Sequence, residues 1–173
     1  MADRDPTRTT NLDIYGNAVL PWSRTHDLLV DSQNQGLSAF LGTVRPDGRP
    51  HSNMLYAMWY EGDYYFVSGP KTLKSRNLAS NPNSTLSVSL KGLDLTLEGE
   101  AHRVTDAPTL EALAKCYRDH TWPVQVEGDA VTAPYNAPSA GKPPYYLYRF
   151  TFYTAFGVAT EKPEGATRWN FAR

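Results

Sequence analysis

The clearest signal in the chain is a change of period. Segments 84–90, STLSVSL, and 93–104, LDLTLEGEAHRV, alternate apolar and polar side chains with a period of two, which sets one face of a strand against a core. Upstream, LSAFLGTV (37–44), the turn RPDGRP and HSNMLYAMWY (51–60) read as a hairpin, because Pro46 presets φ and is followed by residues that tolerate positive φ. A second tight turn, EGD (61–63), leads into YYFVSG (64–69), so three antiparallel strands follow one another as a meander. YYLYRFTFYTAFGVAT (145–160) reads as a last strand ahead of the C-terminal GATRWNF.

Helical spacing occurs in DAPTLEALAKCYRDH (106–120), where Leu110, Leu113, Ala114 and Tyr117 share a face and Asp106 is the expected cap. SRTHDLLVDSQNQG (23–36) predicts a short helix, with Ser23 or Thr25 as cap, Leu28 and Leu29 as its apolar side and Gly36 as its stop. Residues 121–144, rich in Pro, Ala and Gly, have no period and read as a long loop, the kind that serves as a lid or interface segment. Residues 1–22 also lack a period. They read as an N-terminal arm ordered against the body or a partner subunit, and 23–173 as one domain. About six strands with two or three peripheral helices predict a mainly β fold, a small antiparallel barrel, since closure removes exposed edges. A plain sandwich is the structural rival.

Composition narrows the chemistry. A chain of 173 residues can bury one substantial core but not two ordinary domains. With 17 Lys+Arg against 18 Asp+Glu there is no overall field to draw in nucleic acid, so any basic cluster acts locally and a small anion suits it better than DNA. The 11 Tyr and 4 Trp favour strands and flat binding surfaces. Cys116 stands alone, which removes any intrachain disulfide or Cys-based metal site and agrees with a cytoplasmic protein. The polar N-terminus, and the lack of an apolar run approaching roughly 18 residues, lead to the expectation of a soluble, untargeted chain.

One local concentration of charge stands against this balance. SGPKTLKSRNLASNP (68–82) gathers Lys71, Lys74 and Arg76 among Thr72, Ser75 and Asn77. A chain that leaves a strand at Ser68-Gly69-Pro70 and enters a helix near Thr72 presents unpaired N–H groups which, with adjacent Lys and hydroxyl donors, make an anion site. Pro82 disfavours helical geometry at Asn81, so the helix should end near Ser80. The alternative is a solvated connector whose lysines serve solubility.

The order GTVRPDGRPHSNMLYAMWYEGDYYFVSG (42–69) followed by LKSRNLASNP (73–82) resembles the pyridoxamine 5'-phosphate oxidase-like family of flavin-binding split barrels, in its actinobacterial branch that includes oxidoreductases using the factor-420 deazaflavin. The resemblance rests on two strands joined by an x-Asp-Gly-x-Pro turn, a third strand and a Lys-x-x-Asn-Leu-x-x-Asn-Pro helix, and covers about residues 25–160. It implies a homodimer with FMN or the deazaflavin bound at the subunit interface. Carried over by position, the phosphate-binding Lys falls on Lys74, with Ser75 and Asn77 beside it and the strand-end hydroxyl on Ser68. Some relatives carry a cation where this chain has Thr72, so Lys71 would have to substitute. Ser52, Asn53 and Met54 would lie along the ring, and Arg168 and Trp169 near the C-terminus would reach the cofactor or the interface.

Other residues carry weaker signals. His26, His51, His102 and His120 have no metal-like spacing and read as structural or surface residues. Cys116 reads as a small buried hydrophobe, and Glu98 and Glu100 as one solvated strand face. Trp122, Tyr135 and Tyr145 border the long loop, either packing it or forming an apolar wall for a flat or hydrophobic substrate. No Gly-x-Ser-x-Gly elbow, Walker sequence or Gly-x-Gly-x-x-Gly fingerprint occurs. The expected activity is redox chemistry carried by the cofactor, with no catalytic side chain singled out. The rivals are a non-catalytic cofactor carrier or sensor, and a haem-binding relative ligated through His51 or His120. Pyridoxamine phosphate oxidation itself is disfavoured, because the basic residues for a second phosphate are missing.

Overall fold

A computed structural model describes residues 4–32, 36–120, 122–136 and 140–173. In chain order the elements are β1 (Arg8–Asn11), α1 (Trp22–Ser32), β2 (Leu37–Val44), β3 (Pro50–Tyr60), β4 (Asp63–Ser68), α2 (Leu73–Ser80), β5 (Asn83–Leu90), β6 (Leu93–Val104), α3 (Ala107–Asp119), β7 (Gln125–Glu127), β8 (Ala130–Thr132), β9 (Tyr146–Ala159) and β10 (Ala166–Asn170). The order β9-β4-β3-β2-β5-β6 returns to β9 and closes a six-stranded antiparallel barrel. Closure depends on the length of β9. One of its edges pairs with all of β6, while the other is shared, with Tyr146–Phe150 on β4 and Thr154–Val158 on β10. A bulge lets this long pair bend: Glu98 faces Thr154 and Gly99 faces Phe152, which leaves Tyr153 as the extra residue. Gly99 is required there, since a Cβ would stand 2.0 Å from the Thr151 carbonyl oxygen.

The period-two faces bury two separate cores. Inside the barrel lie Leu41, Trp59, Tyr64, Phe66, Leu86, Leu95, Leu97, Phe150 and Phe152, with Leu78 of α2 at one end and Leu29 of α1 packed in. Outside it, Leu110, Leu113, Ala114 and Tyr117 of α3 bury Met58, Tyr65 and Leu147 against the barrel wall. Asp106 caps α3 as its sequence predicts, accepting from the Thr109 N–H at 3.0 Å. Among the described residues, no helix is long and apolar enough to cross a membrane.

Three expectations require correction. α1 begins at Trp22, so Ser23 and Thr25 lie within its first turn instead of capping it. Burial decides the boundary: Trp22 stacks edge-on to Trp169 and Phe171, at 5.4 and 4.7 Å. The 33–35 part of that segment lies outside the described residues. The expected loop 121–144, of which Thr121 and 137–139 lie outside the described residues, contains the β7–β8 hairpin, turned at Gly128 (φ 61°). Strands of three residues are too short to show a period. The tail GATRWNF supplies β10, which pairs with both β9 and β1.

Residues of the N-terminal segment lie along the barrel. β1 pairs with β10, and Arg4 reaches Asp63 Oδ1 (2.9 Å) while lying over the Phe152 ring. Arg149 Nε holds the other Asp63 oxygen at 2.6 Å. Burial pushes the Asp63 carboxyl up, against the pull of Arg149 and Arg4.

Candidate functional site

The charged stretch forms the element its spacing predicts. Thr72 is the N-cap of α2, its Oγ1 accepting from the Ser75 N–H (3.3 Å), and Asn81 ends the helix in an extended conformation ahead of Pro82. Three hydroxyls lock this start. Thr72 Oγ1 lies 2.8 Å from Ser68 Oγ and 3.1 Å from Ser75 Oγ, Ser75 Oγ donates to Ser68 Oγ at 2.9 Å, and Thr72 Oγ1 donates to the Gly69 carbonyl. Ser68 and Ser75 are buried, so these groups rigidify the strand-to-helix corner instead of standing free as ligand donors. Gly69 is a close-approach position as well, because a Cβ would stand 2.3 Å from the Ala140 carbonyl oxygen.

Lys74 differs from its neighbours. It is 8% exposed, and among the described residues no acid or carbonyl pairs with its ammonium. Burial lowers its pKa, with no anion in contact to raise it again. One turn on, Asn77 donates through Nδ2 to Thr43 Oγ1 of β2 at 3.0 Å, while its Oδ1 is buried without a partner. Residues three apart share a helix face, so Lys74 and Asn77 are directed to the β2 side of the barrel mouth. Lys71 is exposed.

The three residues expected along a ring do not share a face. On β3, Ser52, Met54 and Tyr56 point outward and are exposed, whereas His51, Asn53 and Leu55 point inward. Asn53 pairs in register with the fully buried Leu41, and its Oδ1 is a second buried oxygen without a partner. The outward set continues into Phe40 of β2, directly opposite Met54. At 57% and 62% exposed, the two form a bare apolar patch on the barrel wall.

Trp169 is not near this region. It is fully buried in the barrel core, where it packs against Trp22. Arg168 sits opposite Phe156, eight residues along β9 from Tyr148, the β9 residue beside Ser75. At the usual strand rise that is roughly 26 Å of chain, so within one chain Arg168 is not brought beside Lys74.

A cavity of about 320 Å³, lined by Tyr56, Val67, Tyr117, His120 and Trp122, lies outside the barrel next to the Val67–Ser68 corner. Tyr117 is 3% exposed, and its hydroxyl is buried without a partner. Burial pushes that phenol above the ordinary range, so it stays protonated as a donor. His120 Nδ1 lies 2.7 Å from the Cys116 carbonyl, which makes Nδ1 the donor. Trp122 stands edge-on to Tyr117 at 5.2 Å and tilted to Tyr145 at 5.9 Å, while Tyr135 is exposed. Of the lining residues, the sequence pointed to Trp122 as a possible substrate wall, to His120 only as a possible haem ligand and to Tyr117 only as a helix core position, and gave Tyr56 no role.

A family model described as pyridoxamine 5'-phosphate oxidase matches residues 29–159. No curated protein sequence matches. Among solved structures, General Stress Protein 26 from Bacillus anthracis str. Sterne is 18% identical with a TM-score of 0.54, covering 78% of this chain and 94% of its own. An F420 reductase is 24% identical with a TM-score of 0.51, covering 72% and 93%. A protein related to general stress protein 26, of the pyridoxinephosphate oxidase family, from Clostridium acetobutylicum is 15% identical with a TM-score of 0.58, covering 86% and 92%. At these identities the likeness is one of fold.

Proposed function

The chain belongs to the pyridoxamine 5'-phosphate oxidase family, and from that membership and its own geometry we infer that it is an oxidoreductase using FMN or the factor-420 deazaflavin on a flat or hydrophobic substrate. The observation that carries this reading is Lys74, a mostly buried ammonium that no anion among the described residues meets, at the mouth of the barrel. Taking a phosphate there would pair a charge that the described residues leave unpaired. The buried, partnerless oxygens of Asn53 and Asn77 also fit a bound molecule with hydrogen-bond donors.

Bound flavin or deazaflavin would supply hydride transfer. The chain would supply the rest. Lys74 would neutralise phosphate, and the hydroxyl-locked corner at Ser68, Thr72 and Ser75 would keep Lys74 in place. The outward face of β3 at Ser52 and Met54 would offer a flat wall, closed by a second copy of the chain lying on the Phe40 and Met54 patch. The cavity of Tyr56, Tyr117 and Trp122 would admit the substrate and exclude water, with the Tyr117 hydroxyl as a buried donor.

The test is spectroscopic. An absorption spectrum of the purified protein, followed by separate titrations with FMN and the deazaflavin, should show saturable binding of one of them. A Soret band would select the haem-binding rival. Cofactor binding with no turnover of any hydride acceptor would select the carrier or sensor, and absence of binding to either cofactor would overturn the reading.

A further inference from the structure

Of the cations in the charged stretch the proposed cofactor site uses Lys74, and Arg76 stands apart from it. At 100° per residue it stands about 200° around α2 from Lys74, so the two cannot meet on one phosphate. It instead lines a separate cavity of about 290 Å³ between α2, β6 and β9, with Ser75, His102, Arg103, Tyr146 and Tyr148. The Arg103 guanidinium lies 3.5 Å from the Tyr146 ring centroid, a stacked arrangement that leaves a flat, cationic shelf. Tyr148 adds a second ring beside it, stacked on Phe66 at 5.3 Å and 8°.

The charges at this cavity leave a remainder. Arg103 Nη2 holds Asp129 Oδ1 at 2.8 Å, and His102 lies 3.0 Å from Glu100. Arg76 has no acidic partner among the described residues, and no acid lines the cavity. One uncompensated positive charge beside two tyrosine rings selects a ligand with one negative charge and a planar ring. The shelf already binds a carboxylate, that of Asp129, through Arg103, and a guanidinium matches a carboxylate in bidentate fashion. We propose that the cavity between α2, β6 and β9 is a second binding site, for a planar aromatic monocarboxylate, with Arg76 on its carboxylate side and the Arg103, Tyr146 and Tyr148 shelf along its ring.

The site is independent of which cofactor the barrel mouth takes, and 2-naphthoate is a suitable probe. Calorimetry on the full chain should give one saturable site per chain. Neutral 2-naphthamide and ringless acetate should each bind at least about tenfold more weakly, as the loss of the charge-assisted contact or of the ring contact requires. Arg76→Ala should weaken 2-naphthoate about tenfold or more, Arg76→Lys should recover part of the loss, and Lys74→Ala should leave it within about twofold. Because Arg76 is exposed, its variants should keep the parent melting temperature. Saturating FMN should not displace the probe. Any of four results overturns the site: no saturation, equal binding of 2-naphthamide, indifference to Arg76→Ala, or loss in Lys74→Ala, which would put the anion in the cofactor cradle. Failure of FMN and deazaflavin binding with the Arg76 effect intact would overturn the cofactor reading alone.

Discussion

At the scale of the residue, Lys74 decides most. It is mostly buried beside neighbours that bond to one another, and no acid among the described residues meets its charge, which is what the proposed phosphate would do. Lys74→Ala should lower cofactor affinity by about 1.5 to 3 kcal/mol, roughly 10- to 150-fold in a fluorescence titration, because one charge-assisted contact is lost. The melting temperature of the free protein should not fall, since no partner among the described residues is abandoned. The pH dependence has a definite sign. Burial lowers the Lys74 pKa in the free protein and a bound phosphate raises it again, so affinity is full below the free-protein pKa and decays as pH rises through it. Affinity for whichever of FMN and the deazaflavin binds should therefore weaken as pH is raised toward the ordinary lysine range, with the fall beginning below it. In Lys74→Arg, whose guanidinium stays protonated, that alkaline fall should disappear. A flat profile in the parent would show that Lys74 does not meet the phosphate.

At the scale of the element, the corner from β4 into α2 holds the site together. Thr72→Ala removes the cap of α2 and the hub of the three-hydroxyl cluster, and should cost about 1 kcal/mol or somewhat more in urea denaturation. Cofactor affinity should fall with it, because Lys74 is positioned by this turn. The bulge in the β6–β9 pair is a second such point. Gly99→Ala would press a methyl against the backbone oxygen of Thr151, which cannot swing aside as a side chain can. It should destabilise by about 1 to 3 kcal/mol or more, read as a lower denaturation midpoint. The α2 element was legible because its signals are local: a cap residue, a short polar helix and a terminating Pro. β1, β7 and β10 were not, because short strands have no period of their own and exist only through their partners.

At the scale of the molecule, the barrel wall is covered unevenly. α3 buries Met58 and Tyr65 on the outer face, whereas Phe40 and Met54 on the same face are bare. If a second copy closes the cofactor site there, Met54→Glu should convert a sedimenting dimer to a monomer and lower FMN affinity in the same protein. Its melting curve should stay cooperative, since Met54 is exposed in the single chain. A parent that sediments as a monomer while binding cofactor fully would remove the partner from the site.

The amino-acid sequence by itself determined the meander of β2, β3 and β4, the alternating pair β5 and β6, the capped helices α2 and α3, and the placing of Lys74 at a helix start. Each of these depends on neighbours within a few positions, where period, capping and turn chemistry act. Only the tertiary structure decided which way side chains face and which segments meet. It turned Asn53 inward and Ser52 and Met54 outward, because β3 pairs Asn53 with the buried Leu41 and Met54 with the exposed Phe40. It also buried Trp169 against Trp22, 147 positions earlier in the chain, and brought Tyr117 and Tyr56 to one cavity. Those contacts come from closure of the barrel by β9, a long-range pairing whose partners no local pattern can name.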